Sequence, residues 1–124
     1  MGANPNESPE QTAARLGIGG LSRHVFLCIG PECVTPEGGQ KAWDVLKGEI
    51  SQAGLSKACF RTKAGCLRIC NQGPVAVVYP EGVWYRSIDA ATVPRLVDEH
   101  LRRGEVLEDL VIARGPLQAD SSSS

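Results

Sequence analysis

Four cysteines in two close pairs constrain this chain more than any other feature. Cys28-Ile29-Gly30-Pro31-Glu32-Cys33 is a C-x4-C, and Cys66-Leu67-Arg68-Ile69-Cys70 is a C-x3-C. Each pair has Gly or Pro close by, where the backbone can bend enough for two sulfurs to converge. Four convergent thiolates are the ligand set of a structural Zn²⁺ or of an iron–sulfur cluster. Whatever the fold, it has to bring two distant loops to one place.

The 124 residues suffice for one domain with one core. Residues 1–22 are polar, with Pro and Gly and no sustained period, and residues 114–124 end in four serines. Neither end can bury enough apolar surface to offset ordering entropy, so both read as disordered tails around a domain at 23–113. The formal net charge is −1, which argues against a nucleic-acid or anionic-membrane partner. No apolar run is long enough to cross a membrane, and no signal peptide is apparent. Five cysteines in that setting suggest a reducing compartment, hence a cytoplasmic location and metal-binding or redox thiols rather than disulfides.

His24-Val25-Phe26-Leu27-Cys28-Ile29 reads as a buried strand ended by Gly30-Pro31, which puts Cys28 at the strand's end. From Gln40 the period turns helical, through Trp43, Leu46, Ile50 and Ala53, with Gly54 placed to end the helix and Leu55 to pack back on it. Gly48 lies inside this helix and is expected to permit close packing there. Lys57 to Thr62 reads as a second strand. Val75–Tyr79 and Val83–Ile88 form a hairpin across Pro80-Glu81-Gly82, a type I turn followed by a left-handed Gly. Asp89 or Thr92 then caps a helix with Val93, Leu96, Val97, His100 and Leu101 on one face, ended by Gly104. Val106, Leu107, Leu110 and Val111 form a last apolar segment, expected to pack on the domain or on a second copy in a homodimer. The pattern predicts an α/β, thioredoxin-like fold: a mixed four-stranded sheet flanked by two main helices.

Three chemistries compete for the cysteines. A dithiol-exchange enzyme wants C-x-x-C opening a helix, where the dipole lowers a thiol pKa, and neither pair has that form. A four-cysteine zinc module fits the spacings, but structural zinc commonly organises chains with little core, and this one has apolar strands and two amphipathic helices. A [2Fe-2S] cluster needs four thiolates on loops that exclude water. Here Ile29, Val34, Leu67 and Ile69 interleave apolar cover with the cysteines, and Gly30, Gly65 and Gly73 can offer bare N–H groups. Arg61, Lys63 and Arg68 would set positive charge beside the centre, or are ordinary solvated surface. Cys59 reads as a buried structural thiol, with a ligand role in place of Cys33 as the alternative. Trp84 and Tyr85 read as hairpin packing, and His24 and His100 as strand-edge and helix-face residues, not ligands.

Arg61-Thr62-Lys63-Ala64-Gly65-Cys66-Leu67-Arg68-Ile69-Cys70-Asn71-Gln72-Gly73-Pro74, running on through Val75 to Tyr85, resembles the C-terminal half of thioredoxin-like [2Fe-2S] ferredoxins. These are Shethna-type proteins, related to the thioredoxin-like ferredoxin subunit of respiratory complex I. The opening His24-Val25-Phe26-Leu27-Cys28 is similar to the same family, so the resemblance covers about Arg23 to Leu110. It implies one [2Fe-2S] cluster per chain held by Cys28, Cys33, Cys66 and Cys70, one-electron transfer without catalysis, and frequent homodimers. The C-x4-C gap is shorter than in several free-standing members and closer to the complex I form; Cys33 takes the second ligand role as the only cysteine in that loop besides Cys28. The expected protein is therefore a small soluble homodimeric ferredoxin serving a reductase and an electron acceptor. A zinc-binding interaction module and a thiol-disulfide oxidoreductase are the alternatives.

Overall fold

The computed structural model describes residues 6–30, 34–69 and 71–115. Two of the expected ligands, Cys33 and Cys70, lie outside them, as do residues 1–5 and 116–124 of the expected tails.

The β-branched run at the start of the predicted domain forms β1 (Arg23–Cys28). It pairs in parallel with β2 (Cys59–Ala64), from Arg23 opposite Cys59 to Cys28 opposite Ala64. On its other side it pairs antiparallel with β3 (Ala76–Tyr79), which turns into β4 (Val83–Tyr85). The turn carries a cis Tyr79–Pro80 peptide with Gly82 at φ 70°, where the sequence reading expects a type I turn before the left-handed Gly.

A fifth strand, β5 (Val111–Arg114), pairs antiparallel with β4, giving the order β2-β1-β3-β4-β5 and correcting the expected count of four. The last apolar segment is thereby accounted for. Leu107 is fully buried, and Val106, Leu110 and Val111 pack against the core of their own chain.

Alternation along the strands divides the sheet into two unlike faces. Val25, Leu27, Ala76, Val78, Val83 and Tyr85 point to one face and meet α2 (Pro36–Gln52) through Ala42, Trp43, Leu46 and Ile50. The same face receives α3 (Val93–Leu96), which continues as a π-helical segment, Val97–Arg102, so that Val93, Leu96, Val97, His100 and Leu101 are all buried as their spacing predicts. His24, Phe26 and Cys28 point to the other face, which no helix of the core covers.

α2 starts a full turn earlier than its apolar period suggests. Thr35 caps it, accepting from the Gly38 N–H at 3.1 Å, and Pro36 occupies the first turn, where a missing N–H costs nothing. Gly54, at φ 73°, ends it, and the Leu55 N–H returns to the Ile50 carbonyl at 3.0 Å. Close packing belongs to Gly39, not to Gly48: a Cβ on Gly39 would fall 2.5 Å from the Ile29 carbonyl oxygen, whereas one on Gly48 meets nothing within 4 Å.

Within the expected N-terminal tail, α1 (Pro9–Leu16) is helical although none of its residues is buried. Its termini hold it. Ser8 and Gln11 form a reciprocal capping box at 3.1 and 2.9 Å, Pro9 sits at the first turn, and Gly17 closes the helix in the left-handed region.

Candidate functional site

β1 and β2 run in parallel, so both finish at the same end of the sheet, and their next residues arrive together. Cys28 is the last residue of β1. Its N–H bonds the Val75 carbonyl at 2.9 Å, and the Ile29 N–H bonds the Ala64 carbonyl at 2.9 Å, so the ladder is held to its last rung. Beyond it the chain must turn at once. Gly30 does so at φ 90°, and a Cβ there would fall 2.3 Å from the Val34 carbonyl oxygen. From β2 the chain passes Gly65 to Cys66. The Cys28 Sγ lies 3.9 Å from the Gly65 carbonyl oxygen.

The two thiols differ in setting. Cys28 is fully buried on the helix-free face with Val75, and Leu67, Ile69, Trp84 and Ile112 pack over them. Cys66 is exposed and accepts the Arg68 N–H on its sulfur at 3.2 Å. The loop that carries Cys66 is bent into unusual backbone. Arg68, Gln72 and Ser87 have φ of 76°, 61° and 55°, and the Ser87 N–H bonds the Gln72 carbonyl at 2.8 Å. Non-glycine residues in this region are costly and tend to gather at functional sites, where the surrounding structure enforces them.

The donor set tests what the site could hold. Its described donors are thiols, one buried and one exposed, reached from two strand ends, with a backbone N–H aimed at one sulfur and apolar side chains excluding water from the other. Soft donors in that setting suit zinc or an iron–sulfur cluster and not a hard cation. Among the described residues, no three His, Cys, Asp or Glu side chains converge as a metal site, Cys33 and Cys70 being outside the description.

Several surrounding residues sit elsewhere than the sequence suggests. Arg61 and Lys63 do not flank the thiols: they lie over the Trp43 ring at 5.5 and 5.6 Å, on the α2 side of the sheet. Arg68 stays in the cysteine loop. Ile29 packs on the main core, and the cover over Cys28 comes from Leu67 and Ile69, together with Trp84 and Ile112. Cys59 opens β2, about 16 Å of strand away from Ala64. It is buried, with its Sγ 3.8 Å from the Leu101 carbonyl oxygen, and burial pushes its thiol pKa up against the pull of Arg23. That is the setting of a structural thiol.

The end of the sheet where β1 begins holds a polar network that sequence reasoning missed. Tyr85 Oη lies 2.7 Å from His100 Nδ1, His100 Nε2 lies 3.2 Å from Glu81 Oε1, and Arg23 binds the Glu81 carboxylate at 2.9 Å. The Leu107 N–H donates to Tyr85 Oη at 3.2 Å. The Tyr85 proton therefore points to Nδ1, and a neutral imidazole donates its Nε2–H to Glu81. Burial lowers the His100 pKa, and Glu81 only partly offsets this. The available signal was a polar residue at an apolar position, His100 on its helix face and Tyr85 in step with Val83.

No protein-family model matches the chain. It is 36% identical over 104 residues to a 2Fe-2S ferredoxin of Aquifex aeolicus (strain VF5), spanning 75% of this chain and 91% of that one. To a 2Fe-2S ferredoxin of Clostridium pasteurianum it is 44% identical over 64 residues, 52% of this chain and 63% of the other. Among solved structures, the thioredoxin-like [2Fe-2S] ferredoxin from Aquifex aeolicus superposes with a TM-score of 0.69 at 33% identity, covering 78% of this chain and 96% of its own.

Proposed function

The chain belongs to the thioredoxin-like [2Fe-2S] ferredoxins, and from that premise we propose that Cys28, Cys33, Cys66 and Cys70 hold one [2Fe-2S] cluster per chain, within the domain spanning 23–113. A bound [2Fe-2S] cluster supplies a one-electron couple. The protein is accordingly an electron carrier between redox partners, and we read those as a reductase and an acceptor, with no substrate transformed on the chain itself. One observation carries the ligand assignment: Cys28 and Cys66 arrive together because two parallel strands end side by side. In the sequence Cys33 follows Cys28 by five residues, and Cys70 follows Cys66 by four.

The chain's residues have separate tasks at this centre. Cys28, under Leu67, Ile69 and Trp84, forms the dry side, where a low dielectric strengthens every charge interaction. The Arg68 N–H stabilises charge on the Cys66 sulfur. The exposed Cys66 edge is where a partner approaches closely. Anaerobic purification with iron and acid-labile sulfide analysis tests the assignment. We expect two irons and two sulfides per chain, and a rhombic one-electron EPR signal after dithionite. Stoichiometric zinc without sulfide would sink it in favour of the zinc module.

We further propose a cytoplasmic homodimer. No helix of the described residues is long and apolar enough to cross a membrane. Because the last apolar segment packs on its own chain, the support for association comes from the helix-free face. There His24 stacks on Phe26 at 4.3 Å, Phe60 abuts His24 at 5.5 Å, and Tyr79 abuts Phe26 at 6.2 Å, all half-buried. A two-fold pair could cover these rings on both copies. Sedimentation of the intact chain should give twice the monomer mass; a monomer at tens of micromolar removes the proposal.

A further inference from the structure

A cavity lies away from the cysteine end, between α1, the C-terminal half of α2 and β2, with a volume of about 320 Å³. Arg15, Lys47, Lys57 and Arg61 all line it, with Ser51 and Ser56 between them, and no carboxylate is among the described residues that line it. Two acids of the described residues reach these cations from outside the cavity. Glu7 bonds Arg15 at 3.1 Å, and Asp44 stands 4.0 Å from Lys47. Lys57 and Arg61 make no ion pair among the described residues. On a chain of formal net charge −1, four like charges around one cavity are a local concentration. Glu7 and Asp44 offset part of their mutual repulsion, and Lys57 and Arg61 have no such partner among the described residues.

Two details show that the cavity is built. The Arg61 guanidinium is held over the Trp43 ring, and its Nε is buried without a hydrogen-bond partner. A buried charged donor left unpaired is costly, and burial also draws the Arg61 pKa below its usual value. α1 is the other detail. It buries no residue of its own, yet Gly17, its C-cap, packs so closely on Lys57 that a Cβ would lie 3.3 Å from the Lys57 carbonyl oxygen. α1 adds nothing to the core, and its docking brings Arg15 to the cavity beside Lys57.

We propose that this cavity binds a small molecule through a diphosphate group. Its volume is at the lower end of small-molecule sites. Arg61 supplies a planar fork for phosphate oxygens and Arg15 a second one shared with Glu7, two lysines supply point charge, and two hydroxyls complete the donors, with no carboxylate among the described lining residues. Arg61 lies at mid-strand, opposite Val25, and Ser56 and Lys57 precede β2 at the end remote from Cys66. The bound group is therefore separate from the cysteine centre, and the proposal stands apart from the cluster assignment.

Inorganic pyrophosphate is the probe, titrated calorimetrically into the full-length protein at about 50 mM salt. One saturable site per chain is expected, with orthophosphate weaker. The Lys57→Gln/Arg61→Gln double variant should weaken binding at least ~10-fold, while Arg102→Gln/Arg103→Gln, which removes the same charge elsewhere, should change it less than ~2-fold. If the Arg61 change prevents folding, Lys47→Gln/Lys57→Gln carries the same test, with circular dichroism as the folding control. Absence of saturable heat up to ~10 mM pyrophosphate overturns the proposal. So does equal weakening by the remote pair, which would show bulk attraction, or binding of an acidic peptide without pyrophosphate, which would make the patch a protein contact.

Discussion

The sheet has a cysteine at each end of β2, and the two could hardly be treated more differently. Where the parallel strands begin, Cys59 is sealed in the core, and the polar groups around it satisfy one another: Arg23 on Glu81, Glu81 on His100, His100 on Tyr85, Tyr85 on the Leu107 N–H. Where they finish, Cys66 is exposed, with a single backbone donor on its sulfur among the described residues, and its loop is held in left-handed backbone at Arg68 and Gln72. The closed network spends its polar atoms on itself, which stabilises the fold and leaves nothing to bind. The open end keeps sulfur available at a cost in backbone conformation, as expected of a site that becomes complete on binding something else.

The largest expected effect follows directly. Cys66→Ala or Cys70→Ala should abolish stable cluster assembly, since each removes one of four proposed ligands. Cys59→Ala should retain full iron and sulfide and cost only about 1 kcal/mol of packing. The measurement is iron, sulfide and visible absorption for all three proteins prepared anaerobically. Loss of the cluster in Cys59→Ala with retention in Cys33→Ala would reverse the roles of the two ends.

The closed end makes the opposite prediction, large in stability and silent in cluster content. His100→Leu strands the hydroxyl proton of Tyr85, which like His100 is fully buried, and removes one of the donors to the partly exposed Glu81. A loss of roughly 2–4 kcal/mol in urea denaturation is expected, with unchanged iron content per folded chain. If iron falls while stability holds, the network serves the centre and the contrast between the ends is wrong.

The same network sets a pH dependence. Burial holds the His100 pKa below its usual 6.5, so the unfolded chain takes up this proton before the folded one does. The resulting stability is complete above about pH 6.5 and is lost as pH falls through the folded His100 value. Glu81 acts in the same direction at lower pH. Burial alone would raise its pKa, but hydrogen bonds from Arg23, its own backbone and His100 prevail and hold it below 4.5. Its contribution is present above 4.5 and is lost as pH falls through the lowered value. The urea midpoint of the native protein minus that of His100→Leu should therefore shrink below pH 6.5. A difference that stays flat from pH 7.5 to 5 would show that folding does not shift the His100 pKa, and one that grows as pH falls would show that His100 is charged when folded.

How much of this was legible depended on period and register. β1, the hairpin and both main helices show their periods in residues such as Val25 and Leu27 or Trp43, Leu46 and Ile50, and the cysteine spacing pointed to one soft-donor centre. α1 has no apolar face, and only Ser8, Gln11 and Gly17 mark it. β5 is four residues long and needs β4 as its template. The start of α2 was hidden because Gly38 and Gly39 are poor helix formers, and Gly39 is needed for its approach to the Ile29 carbonyl. The destination of Arg61 and Lys63 depended on which face of β2 they share with Cys59, and hence on the pairing of Arg23 with Cys59, which composition does not encode. The cavity that Arg61 helps to form was invisible for the same reason.

Gly48→Ala gives the smallest effect and the control for both ends. Gly48 lies in the interior of α2, has no left-handed φ, and a Cβ there meets nothing within 4 Å. The substitution removes backbone freedom from the unfolded chain and adds no clash, so it should stabilise the protein by about 0.5–1 kcal/mol. Because α2 packs on the sheet between the two ends, this gain belongs to neither the thiol centre nor the His100 network. Iron content should be unchanged, and so should the pH at which stability begins to fall; only the urea midpoint should move, upward. A destabilised Gly48→Ala would mean that a neighbour approaches this face of α2 in solution, and the helix would then have to be counted as part of an interface.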